Sequence, residues 1–278
     1  MTEEERYFED KCKPFQMIIK ELLQKERDIL DASRSDPDNA ADKLFQLADE
    51  MLNLASYYFI FNNLSLTILK ARNADALNDA RKAIYKAIIY LENIVTGKVN
   101  APYSEYEYHL TELVSSVDEQ RRYDMVKKMG FTISLLKDAY RNHSKWKWSF
   151  VELEGRFAAT AKNMLELSAA VANTDPASPA YVPTVRHLGI VKQMLSDVSA
   201  QYRDRYSLST QRVEDLQSAQ NFLESLRYIY AALGEHTEAD NVKKQCEILD
   251  SKIKNELKKK QEAAATYVAD PGSNRRTV

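Results

Sequence analysis

The stretch MLNLASYYFIFNNLSLTIL, Met51 to Leu69, is the longest run of this chain without a charged side chain. It is about as long as a membrane span, which needs roughly 20 mostly apolar residues. Three of its residues argue against that reading. Asn53, Asn62 and Asn63 are costly to place in hydrocarbon, and no basic cluster sits tightly at either end. The stretch therefore reads as a central helix buried on most of its sides, inside a protein built of helices.

The residues around it carry the same period. Glycine and proline number only 6 and 7 in 278 residues, and neither occurs between Pro37 and Gly97. In that interval Leu44, Leu47, Met51, Leu54, Tyr58, Phe61 and Ile68 form one apolar stripe, and Leu77, Ala80, Ile84, Ala87, Leu91 and Ile94 a second. Spacings of three and four are those of one face of a helix. Asn73 and Asp75, in KARNADAL, are capping residues, so the chain is expected to break there; one helix over 38–96 is the alternative. Asp36-Pro37 reads as a helix start, with the proline at the first helical position. Ser104 and Glu107 have capping-box spacing, flanked by Tyr103 and Tyr108 as a staple. Ser149 and Glu152 repeat the pattern, with Trp148 and Leu153 as the staple. The helix after Ser149 should bury Phe150, Leu153, Phe157, Ala161, Met164, Ser168 and Val171, with Gly155 inside it where a neighbour packs closely.

Thr174 to Pro183, TDPASPAYVP, holds three of the prolines and reads as a connector. Beyond it lie the stripes Leu188, Val191, Leu195, Val198, Tyr202 and then Leu216, Ala219, Leu223, Leu226, Tyr230, Leu233. Gly234 ends that helix, and Ala239, Val242, Cys246, Leu249, Ile253 and Leu257 line the last one. From about Gln261 the stripe is gone. The expected fold is all-α: seven to nine long amphipathic helices in antiparallel hairpins, elongated and in two lobes. The expected divisions are an N-terminal lobe over 1–173, the connector over 174–183, a C-terminal lobe over 184–260 and a disordered tail over 261–278.

Composition narrows the function classes. With 39 basic and 41 acidic residues the net charge is -2, which lacks the basic excess of a phosphate-driven nucleic-acid binder. Cys12 and Cys246 are too few and too far apart for a disulfide framework. MTEEERYFEDK has no apolar segment of a secretory signal, so a cytoplasmic protein is expected, exported only if the sequence is a processed mature form. The four histidines, His109, His143, His187 and His236, fit neither a Glu-x-x-His nor a His-Glu-x-x-His pattern. The glycines form no phosphate-cradling loop. The sequence thus offers no catalytic, cofactor-binding or metal-binding candidates, and neither a cofactor nor a small-molecule substrate is expected.

One segment stands out for binding. Between Arg121 and Trp148, basic residues alternate with Tyr123, Tyr140 and both tryptophans of the chain, Trp146 and Trp148. Asp124 and Asp138 share it, and Asp118 and Glu119 stand just before it. A solvated helix surface is the plain reading, and an acidic protein surface is a better functional fit than a single strand of nucleic acid. The candidate protein-binding residues are Trp146 as an aromatic anchor, with Arg141, Lys145 and Lys147 as its basic rim. Trp146 sharing the core with Trp148 is the competing expectation.

LESLRYIYAALGEHTEADNVKKQCEIL, Leu223 to Leu249, resembles a single tetratricopeptide repeat unit through Leu226, Tyr230, Gly234 at the turn, Ala239 and Cys246. Arg227 and Lys243 depart from the family's small and aromatic residues. The resemblance implies a helix-turn-helix of the kind whose stacks bind peptides and proteins. A non-catalytic scaffold or adaptor for a protein partner is therefore expected. A structural subunit that coats or assembles along a filament is the alternative, and a helical enzyme without a recognisable motif is third.

Overall fold

The computed structural model describes the backbone of residues 2–35, 40–140 and 144–269 and, apart from 33–35, 144–145 and 263–269, their side chains. The described residues form ten α-helices and no strand: α1 Glu3–Ser35, α2 Ala40–Ile68, α3 Ala74–Val95, α4 Glu107–Ser116, α5 Glu119–Tyr140, α6 Ser144–Asn163, α7 Leu167–Ala172, α8 Tyr181–Arg205, α9 Val213–Ala232 and α10 His236–Ala269. The fold is all-α with antiparallel helices, as the periodicity requires. Asp36 and Pro37 lie outside the described residues.

Met51–Ile68 makes up the larger, C-terminal part of α2, which packs on α1, α3, α4 and α5. Leu47, Ala48, Met51 and Ala55 have no exposed surface. Each of its three asparagines has a place that needs no lipid. Asn62, 3% exposed, accepts through Oδ1 from the Asn73 amide at 3.1 Å. Asn53 accepts from Lys128 Nζ at 2.8 Å, and Asn63 faces solvent. Ser65 Oγ donates to the Ala71 carbonyl at 2.8 Å. Asn62 and Ser65 therefore close the turn between α2 and α3. No described helix is long and apolar enough to cross a membrane.

The break at Asn73 is real: its side chain accepts from the Ala76 amide at 2.9 Å and caps α3. Residues 38–96 are thus not one helix. The stripe Leu77, Ala80, Ile84, Ala87 and Leu91 is wholly buried, and α3 packs it against α2.

Two expected capping boxes are absent. Tyr103–Glu105 is a 3-10 turn, so Ser104 lacks the extended backbone of an N-cap, and α4 starts after Tyr106 with no side-chain cap. Tyr108 is 77% exposed and staples nothing; Tyr103 instead meets Tyr106 edge-on at 5.7 Å. Ser149 lies inside α6, which begins at Ser144, because nothing in SKWKW resists helix. Trp148 and Leu153, five apart on one helix, then point to different faces. The helix also stops earlier than its stripe. Asn163 turns its amide to the Thr96 and Lys98 carbonyls at 3.0 and 3.1 Å, and Glu166 caps the separate short α7. Gly155 is buried.

The chain falls into two compact units, Met1–Val191 and Lys192–Val278. The turn at 174–180 precedes α8, and the division lies further along, within α8. In the first unit a buried carboxylate fastens α1: Glu26, 5% exposed, accepts from Lys86 Nζ at 2.9 Å and from the Tyr90 hydroxyl at 2.5 Å. In the second unit Tyr202 stacks on Phe222 at 5.7 Å and Arg205 Nε donates to Asp215 at 2.9 Å. The α9–α10 hairpin turns at Gly234, whose φ of 72° lies in the left-handed region glycine favours. α10 runs on through Ala269, past the point where the sequence was expected to lose structure. Glutamine, glutamate and three alanines sustain a helix by propensity without an apolar stripe. Residues 270–278 lie outside the description.

Candidate protein-binding site

α6 begins just after α5, and this brings three aromatic rings together. Tyr140, the last residue of α5 and 5% exposed, lies 5.3 Å from the Trp146 ring and 5.7 Å from Phe150, centroid to centroid. Trp146 is half-buried. Two guanidiniums cover this platform from other parts of the chain. Arg81 of α3 sits 5.1 Å from the Trp146 centroid, and Arg72, in the turn before α3, sits 5.7 Å from that of Tyr140. Each such contact contributes about 0.5–2 kcal/mol, more as water is excluded. Burial pushes the Tyr140 hydroxyl above its usual pKa, while the charges of Arg81 and Arg72 pull it back. Both cations are therefore close enough to act on one hydroxyl.

The expected rim is only partly described. Arg141 lies outside the described residues, and of Lys145 only the helical backbone is described. Lys147 is exposed, and its ammonium lies 4.7 Å from the centroid of Trp148, not over Trp146. Arg72 and Arg81, the cations that do meet the platform, were not among the expected residues. They stand some 60 to 75 residues earlier in the chain, and only the packing of α3 against α5 and α6 brings them there. Neither pairs with a carboxylate among the described residues. Arg81 Nη2 donates to Asn78 at 3.0 Å, and its buried Nε has no partner.

Other titratable groups of the first unit hold helices together. His187, fully buried, points Nδ1 at Glu119 Oε1 at 2.7 Å and Nε2 at the Ala161 carbonyl at 3.2 Å. Two oxygens, one carboxylate and one carbonyl, thus face the two ring nitrogens. Burial alone would raise the Glu119 pKa, but the hydrogen bond and charge of His187, then Arg122, hold it below the usual carboxylate range. A groove of about 480 Å³ between α1, α2 and α5 is lined by Lys25, Asp49, Glu50, Arg121 and Lys128 among others, and four of its charges pair within it: Lys25 with Glu50, and Lys128 with Asp49 at 2.6 Å. Among the described residues no group of three histidine, cysteine, aspartate or glutamate side chains is placed to hold a metal.

Fold and site together define an all-helical protein carrying an aromatic platform under two guanidiniums. It belongs to the TP0443 family, whose model matches residues 4–257. The match gives no tetratricopeptide assignment to the C-terminal hairpin. That hairpin, Val213 to Ala269, also outruns the roughly 34 residues of such a unit. No curated protein matches the chain, and no solved structure does.

Proposed function

We propose that the protein is a non-catalytic helical scaffold or adaptor that binds a protein partner through the face built on Trp146. The observation that carries this reading is the half-buried Trp146 ring, fixed between Tyr140 and Arg81 at the start of a helix. Tryptophan, tyrosine and arginine are the residue types that dominate binding hot spots, and a ring already held in place loses little freedom on binding. Cys12 and Cys246, both buried and unpaired, suit a reducing, cytoplasmic setting. Replacing Trp146 with alanine tests the reading. Partner capture from the native cell should fall at least about ten-fold, with the melting temperature lowered only modestly. Undiminished capture by a folded Trp146→Ala variant overturns it.

A structural subunit that assembles with copies of itself is the second reading. Phe131, 65% exposed, and Leu135, 38% exposed, lie one turn apart on α5 and favour it.

A further inference from the structure

We infer that the Trp146 face recognises an acidic segment of its partner, with a carboxylate held by Arg72 and Arg81 beside the Tyr140 hydroxyl. The inference rests on the protein-binding reading above and adds the chemistry of what is bound. Its first support is a contrast within the same unit. Arg122, Lys128, Lys137 and Arg156, all buried or half-buried, each reach a carboxylate at 2.5–2.6 Å, and half-buried Lys162, which does not, spends its ammonium on the Val99 carbonyl and Asn163 Oδ1. Arg81, half-buried like them, has no carboxylate partner among the described residues, and neither has Arg72. These two meet on one aromatic pair. A guanidinium lying on a ring keeps its N–H edge for a carboxylate, which it grips with two parallel hydrogen bonds.

The second support is the orphan Nε of Arg81. A buried donor left without an acceptor is destabilising, and a small rotation of the guanidinium toward an incoming anion would relieve that. The third is the source of the cations. Arg72 comes from the turn closed by Asn62 and Asn73, and Arg81 from the first half of α3, so hydrogen-bonded backbone holds both attachment points before anything binds. A nucleic-acid strand could also stack on Trp146. Its affinity comes from many phosphates met by many cations, whereas the described platform offers two guanidiniums in a chain of net charge -2. An acidic peptide needs no more than those two.

The test uses the full chain carrying Trp148→Phe, which leaves Trp146 as its sole tryptophan, and follows its emission during titration with hexaglutamate at low salt. Saturable binding is expected, weakened at least about ten-fold by Arg81→Gln and by Arg72→Gln, the loss a charged hydrogen bond would give. Lys82→Gln, which removes an exposed cation paired with Asp79 on the same helix, should leave it unchanged. Arg72 is exposed, so its variant folds even if that of Arg81 does not. The inference is overturned by no saturable binding, by equal loss in the Lys82 variant, or by tighter binding of a hexathymidine strand or inorganic phosphate than of hexaglutamate. If hexaglutamate fails while partner capture still depends on Trp146, only the carboxylate inference falls. If capture is indifferent to Trp146→Ala, the binding reading falls with it.

Discussion

Lys162 shows how a single side chain sets a pH dependence. It is half-buried near the C-terminus of α6, where its ammonium donates to the Val99 carbonyl at 3.2 Å and to Asn163 Oδ1 at 3.0 Å. Burial pulls its pKa down from 10.5 to about 8. Above about pH 8 the folded chain gives up this proton, while the unfolded chain keeps it until near 10.5. Between those values the unfolded state holds more protons, so the contribution of Lys162 to stability rises with pH, and below them its burial opposes folding. Comparing the wild type with Lys162→Met by denaturant unfolding between pH 7 and 10 should show the wild type gaining on the variant as pH rises. Parallel profiles would mean that the ammonium is solvated. None of this was legible in sequence, because desolvation is a property of the packed interface and Lys162 looks like any other helical lysine. His187 was unreadable for the same reason: its partners Glu119 and Ala161 lie 68 and 26 residues away.

At the scale of elements, what the sequence disclosed was what is local. Asn73 caps α3 through an amide three residues on, and Gly234 turns the last hairpin through its own φ. Both effects act within one turn of chain. Ser104 and Ser149 have the same local pattern and fail, because a cap also needs the helix to begin there. A 3-10 turn forms around Ser104, and α6 starts five residues before Ser149. The α2–α3 hairpin shows which term dominates in Met51–Leu69. If the run were a span, replacing Asn62 by leucine would stabilise it. Here Asn62 accepts from the backbone of Asn73 at the next helix start, so Asn62→Leu leaves that amide without its acceptor. The variant should lose about 1–3 kcal/mol in spite of its greater apolar surface. A rise in the melting temperature would mean that water or another acceptor replaces the asparagine at no cost.

For the molecule as a whole, the class of fold was legible from the helical period and the scarcity of glycine and proline. Only one member of the candidate site's platform was legible in the sequence by role. Trp146 drew attention by its neighbours in sequence, whereas Arg72 and Arg81 reach it only through tertiary packing, which one sequence does not disclose. The same limit separates the two functional readings. Large apolar residues are exposed in both units, among them Met17 at 64%, Phe131 at 65%, Leu208 at 68% and Ile248 at 69%. Singly scattered residues of this kind are ordinary on a monomer. Phe131 and Leu135 are different, because they lie one turn apart on α5 and share a face. An adaptor should leave that face idle, so sedimentation should give one species of constant mass from dilute to concentrated solution, unchanged by Phe131→Ser. Mass that climbs with concentration, and stops climbing in the Phe131→Ser variant, would move the assignment to a self-assembling subunit. The Trp146 platform would then serve the assembly or its anchor, and partner capture by the serine variant would decide between those two roles.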